Sequence, residues 1–153
     1  MKIISISNQK GGVGKTTTAV NLAQAIAATN RKTLLIDLDP QGNASTASGA
    51  TKSNSLFETT LGKHASELIQ TSSNQYDVLA GGEDLVALEV ALRNNPTKGH
   101  IAKSLKELDY DFVFIDTPPS LNSLTLDALI SSDGTLIPLQ CEYYSLEGIT
   151  SLV

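Results

Sequence analysis

Apolar residues follow two rhythms along this chain, short continuous runs that read as buried strands and three- or four-residue spacings that read as helices. Ile3, Ile4 and Ile6 mark a strand over 2–7, and Ala19, Ala23, Ile26 and Ala27 recur at helical spacing over 16–29. Alanines give that helix a small-residue face suited to close packing on a sheet. Residues 32–38 (K-T-L-L-I-D-L) are nearly continuous in apolar character, as expected of a strand covered on both faces. Strand, helix and strand together make a βαβ unit.

Further on the pattern alternates in the same way. Residues 44–55 are Ser, Thr, Ala, Gly and Asn with hardly any large apolar side chain, which predicts a mobile loop. Short helices are expected over 56–61 and 65–72, and a short strand over 76–79. An amphipathic helix over 84–94 carries Leu85, Leu88 and Leu92 on one face and stops at Asn-Asn-Pro. The amphipathic pattern repeats over 101–108. Four apolar residues ending in Asp116 form a strand, followed by a helix over 124–131 and an apolar strand over 134–139. The alternation predicts an α/β fold, a mostly parallel sheet with helices on both faces, in one domain over 1–153.

Composition narrows the possibilities. With 153 residues, 41% of them apolar, the chain can build a sizeable core. A net charge of -5 argues against a free-standing nucleic-acid binder, so any DNA contact must come from a local patch, a dimer or residues outside this chain. The single Cys141 excludes an internal disulfide framework and is expected as an ordinary buried thiol; no Cys/His cluster has zinc-ligand spacing. No leader-like segment and no apolar run of membrane-spanning length is present, which predicts a cytoplasmic protein with no membrane partner. His64 and His100 lie in polar surroundings and are expected at the surface without a chemical role.

The chemistry concentrates in residues 8–17, N-Q-K-G-G-V-G-K-T-T, between the first strand and its helix. Gly11, Gly12 and Gly14, with Val13 among them, let the backbone curl until several N–H groups point at one spot. A polyphosphate then sits on the helix N-terminus, where free N–H groups and the helix dipole favour negative charge. Lys15 is expected on the β- and γ-phosphates, the Thr16 hydroxyl on Mg2+, and Thr17 on the α-phosphate. Gln9 stands where the general pattern has its first glycine.

K-G-G-V-G-K-T-T resembles the deviant Walker A motif of the ParA/MinD group of ATPases, whose early lysine matches Lys10. The resemblance implies that Lys10 crosses a dimer interface to phosphates bound by the partner subunit. Residues 37–43, D-L-D-P-Q-G-N, lie at a strand's carboxyl end, where ligands bind in open α/β sheets, so both aspartates are expected to face the phosphates. They are similar to the switch I stretch of the partitioning ATPases ParA and Soj, which implies that Asp39 orients or activates the attacking water while Asp37 holds the switch. Residues 110–120 resemble the family's Walker B strand with its D-T-P-P-S segment. Asp116 then serves the Mg2+ shell through water while Thr16 ligates directly.

Residues 140–148 resemble the stretch after the corresponding strand in Soj-type proteins, and Ser145 is a fair helix N-cap there. Family members continue for a substantial C-terminal stretch. The resemblance therefore implies the N-terminal part of a longer P-loop NTPase, with an exposed sheet edge and an uncovered apolar face.

Taken together, the resemblance implies an Mg2+-dependent, nucleoid-associated partition ATPase. Lys10, Lys15 and Asp39 carry catalysis in an ATP-bound homodimer, which binds DNA without sequence preference and is reset by a ParB-like partner. Four alternatives compete. A membrane-cycling MinD-like ATPase is disfavoured by D-P-Q-G-N and Q-C-E-Y-Y, and an iron-protein relative needs a second cysteine. A truncated fragment that holds nucleotide, or only pairs with an intact copy, and turns nothing over is the third. A GTPase reading lacks an N-K-x-D motif.

Overall fold

Side-chain alternation along three central strands sets the architecture of the computed structural model, which describes residues 1–53, 55–96, 98–141 and 150. The strands are β1 (Lys2–Ile6), β2 (Thr33–Asp37), β3 (Ile69–Thr71), β4 (Asp77–Leu79), β5 (Phe112–Asp116) and β6 (Gly134–Leu136). They form one sheet in the order β3-β4-β2-β5-β1-β6. Every pairing is parallel except β3 with β4. Both Ile6 and Asp37 pair with Asp116, so the carboxyl ends of β1, β2 and β5 stand level.

Ile3, Leu34, Ile36, Val113 and Ile115 face one side of the sheet. There they meet Leu85, Leu88 and Leu92 of α3 (Leu85–Asn94), Ile101 of α4 (His100–Ser104), and Leu124 and Ala128 of α5 (Ser123–Ser131). Ile6, Leu35, Val78 and Phe114 face the other side. That layer packs on Ala19, Ala23 and Ala27 of α1 (Lys15–Ala27) and on Ala44 of α2 (Asn43–Ala47). The sheet is thus covered on both faces, as the continuous apolar character of residues 33–38 requires.

One contact between the covering helices is polar. Asp127 of α5 accepts from the backbone N–H groups of His100 (2.9 Å) and Ile101 (2.8 Å), capping α4 from outside. Two charge-assisted bonds of this kind are each worth about 1.5–3 kcal/mol. Asp127→Ala is therefore expected to lower unfolding free energy by roughly 2–4 kcal/mol, read as a shifted urea midpoint.

Several expectations are corrected. Residues 65–72 do not form a helix: a 3-10 turn (Ala65–Glu67) gives way to β3, because Ile69 to Thr71 can pair antiparallel with the open edge of β4. Residues 44–55 begin with α2, and Ala44, Ser45 and Ser48 are buried rather than mobile surface. Ser48 Oγ lies 2.8 Å from the buried Tyr76 hydroxyl, which explains how so polar a segment goes inside. Cys141 is exposed, not buried, since it follows an edge strand with no layer over it. His100 is half-buried, with Nε2 2.9 Å from Thr59 Oγ1, and burial lowers its pKa; His64 is exposed as expected. The strand expected over 134–139 ends at Leu136, and Pro138 has no N–H to continue a ladder. Ser145 lies outside the described residues.

β6 forms one edge of the sheet, and Leu126 and Ile130 of α5, with Leu136 and Leu139, are exposed. Among the described residues, no helix is long and apolar enough to cross a membrane.

Candidate functional site

The site begins where β1 runs out. Asn8 is buried and pins the turn at both ends, accepting from Lys10 N (3.0 Å) and donating to Pro138 O (2.9 Å). Gly12 and Gly14 then take left-handed backbone, with φ of 73° and 92°, which side-chain-bearing residues adopt only with strain. Gly14 is the N-cap of α1 and no side chain caps that helix, so its first amides stay available. A Cβ on Gly11, Gly12 or Gly14 would meet no atom within 4 Å. Packing does not require glycine at these positions; the left-handed backbone does at Gly12 and Gly14, and the space over the loop is open.

That space is a cleft of about 440 Å3. Gly11, Gly12, Gly14, Lys15, Thr16 and Thr17 form one wall, and Asp39, Gln41, Asn43 and Pro119 the other. The level ends of β1, β2 and β5 bring these segments together across more than a hundred residues of chain.

Lys15 is buried and its Nζ donates to Lys10 O at 3.1 Å. Burial lowers its pKa, and the carboxylates of Asp116 and Asp39 oppose that shift. Asp116 is wholly buried at the end of β5, with Oδ2 accepting from Thr16 Oγ1 at 2.7 Å. Its pKa is pushed up to about 7, chiefly by burial; the Thr16 bond resists, and Asp37 and Asp39 push further. Asp116 Oδ1 is buried with no hydrogen-bond partner. A buried, unpartnered carboxylate oxygen costs free energy and asks for a cation. With the Thr16 hydroxyl on the other oxygen, the donor set is hard and fits Mg2+, which also takes phosphate and water oxygens.

Asp37 does not face the cleft as expected. It is buried, with Oδ1 accepting from Asp39 N (3.0 Å) and Oδ2 from Ser45 N (2.8 Å) and Ser45 Oγ (2.7 Å). Burial raises its pKa and these three bonds oppose the rise. The short polar side chain finds donors in α2 directly below, and turns to them. Asp39 does line the cleft, its Oδ1 accepting from Gln41 N at 2.9 Å.

The structure therefore gathers Gly11, Gly12, Gly14, Lys15, Thr16, Thr17, Asp39 and Asp116 at one place. Val13 is buried and Lys10 is half-buried; neither lines this cleft, although Lys10 contributes the carbonyl that holds Lys15. Sequence reasoning gave no role to Asn8, Asn43, Pro119 or Gln140, whose Nε2 donates to Gly12 O at 3.1 Å. The signal for them was position, since each lies just past a strand's carboxyl end or in the turn that follows.

A family model described as an AAA domain matches residues 1–153. The chain is 46% identical over 159 residues to the chromosome partitioning protein ParA of Myxococcus xanthus, covering 99% of this chain and 56% of that protein. It is 41% identical over 150 residues to the chromosome-partitioning ATPase Soj of Thermus thermophilus, covering 98% of this chain and 59% of the relative. The chain thus spans under two thirds of the length of these curated relatives. Among solved structures, cobyrinic acid a,c-diamide synthase from Mycobacterium smegmatis, with bound ATP analog and magnesium, superposes with a TM-score of 0.93 at 33% identity. That match covers 99% of this chain and 65% of the other. A putative plasmid partition protein from Borrelia burgdorferi bound to AMPPNP gives a TM-score of 0.86 at 29% identity over 99% and 66% of the two chains.

Proposed function

On the premise that this chain belongs to the AAA-domain family and to its ParA/Soj-type partitioning ATPases, we propose that it binds ATP with Mg2+ and hydrolyses it to drive DNA segregation. One observation carries this reading: the buried Asp116, with its orphaned oxygen, is hydrogen-bonded to Thr16, which lines the same cleft as Lys15 and Asp39. The loop amides and the N-terminus of α1 hold the phosphates, and Lys15 Nζ exchanges the Lys10 carbonyl for their oxygens. Thr16 and Asp116 would hold Mg2+, which would supply positive charge to offset that developing on the γ-phosphoryl group. Asp39 orients water for in-line attack, so positioning and electrostatics supply most of the rate.

ATP joins two subunits face to face, Lys10 of each serving the other's phosphates. The resulting dimer binds DNA without sequence preference, and a ParB-like partner stimulates turnover. The relatives named for chromosome partition support this over the cobyrinic acid a,c-diamide synthase activity of the structural neighbour, because their identity to the chain is higher, 46% and 41% against 33%.

Hydrolysis assays and light scattering on the intact protein test the reading. Asp39→Ala is expected to keep ATP binding and ATP-dependent dimers while turnover falls about 100-fold, the scale of a lost water-orienting group. Equal ATPase rates for variant and parent would refute the assignment of Asp39.

A further inference from the structure

Two residues outside every recognised motif tie down the turn that carries Asp39. Ser45, wholly buried in α2, uses its hydroxyl twice: it donates to Asp37 Oδ2 at 2.7 Å and accepts from Gly81 N at 2.8 Å. Its own amide donates to the same Asp37 oxygen, while Asp37 Oδ1 accepts from Asp39 N. Gly81, two residues beyond β4, closes the arrangement from the opposite side. A Cβ there would stand 2.6 Å from Asp39 O and 2.8 Å from Asp37 Cγ, so only glycine lets the backbone pass so near.

We propose that Ser45 and Gly81 are positioning residues for hydrolysis, fixing through Asp37 the backbone of residues 37–39 so that the Asp39 carboxylate is held toward the cleft. This rests on the reading of Asp39 as the group that orients water. Neither Ser45 nor Gly81 lines the cleft, so neither bears on phosphate binding directly. Without the hydroxyl, Gly81 N loses its acceptor and Asp37 Oδ2 loses one donor, in a place where water cannot substitute. The buried cost of leaving them unpaired favours other settings of the turn. Misplacement by 1 Å at a catalytic group can cost about 100-fold in rate, so even partial loosening is measurable.

The separation of kcat from KM distinguishes positioning from bulk stability. In the intact protein, Ser45→Ala is expected to lower kcat about tenfold while KM and Kd for ATP stay within roughly twofold of the parent. Gly81→Ala should behave alike; if it fails to fold, Ser45→Ala carries the test alone. In single-turnover assays on an Asp39→Ala background, Ser45→Ala should add no further loss, since both act through one group. Parental kcat in Ser45→Ala, beside an inactive Asp39→Ala, overturns the positioning role and leaves the reading of Asp39 standing. Parental turnover in Asp39→Ala overturns both, and a further loss from Ser45→Ala on that background shows a path not running through Asp39 and overturns the proposal.

Discussion

Lys15→Ala will lower ATP affinity by at least about 1,000-fold, or roughly 4 kcal/mol at 1.4 kcal/mol per tenfold, in equilibrium titrations with a fluorescent nucleotide. Two effects add. The ammonium group is already partly stripped of water, because the side chain is buried and its Nζ is spent on the Lys10 carbonyl. Exchanging that neutral acceptor for charged phosphate oxygens recovers a charge-assisted bond worth about 1.5–3 kcal/mol. The second effect is repulsion. Asp116 and Asp39 both act on Lys15 electrostatically, and without the lysine an incoming triphosphate meets two carboxylates with only the loop amides to offset them. A loss of only tenfold would mean that the phosphates bind elsewhere.

Asp116→Asn should lower Mg2+-dependent nucleotide affinity by about 1,000-fold, since it removes the buried charge that draws the ion. It should also make the ligand-free protein more stable, and the sign follows from the direction of the shift. The pKa of Asp116 rises from 3.8 in the unfolded chain to about 7 in the fold. Below about pH 4 both states hold the proton and nothing is lost. Between about 4 and 7 the unfolded chain releases a proton the fold retains, so stability falls as pH rises. Above 7 the full cost of the buried charge, up to about 4 kcal/mol, is in place. Asparagine avoids that charge but buries an amide N–H2 without a partner, at about 1–3 kcal/mol. The net gain near pH 8 is about 1–3 kcal/mol, which raises Tm by several degrees in calorimetry; toward pH 4 the charge cost is gone, and the unpartnered amide leaves the variant less stable than the parent by about 1–3 kcal/mol. A variant less stable than the parent at pH 8 would show that Asp116 is not strained in the absence of a cation.

Where the sequence was legible, the signal was local. The run of apolar residues in β2, the alanine spacing of α1 and the leucine spacing of α3 each state their own environment without help from the rest of the chain. The glycine-rich loop is legible for the same reason: Gly11, Gly12 and Gly14 cluster in one short stretch, two of them on left-handed backbone, beside an open cleft. What the sequence hid depends on neighbours brought in by the fold. Three residues of β3 become a strand only because β4 offers an open edge. Ser45 is composed like a loop residue and is buried because Asp37 needs its hydroxyl. Gly81 matters through Asp39, more than forty positions away in sequence, and no periodicity in either segment announces it.

The sheet order has a consequence for biosynthesis. β1 and β2 both leave the ribosome before β5, yet in the finished sheet they are not neighbours; β5, made some seventy-five residues after β2, slots between them. Until Asp116 has been translated, β1 and β2 lack the neighbour that joins them, and the loop at the end of β1 lacks the carboxylate bonded to Thr16. A ligand that fits this cleft would therefore meet a complete site only after this insertion, and its binding would stabilise the late strand rather than guide the earlier ones.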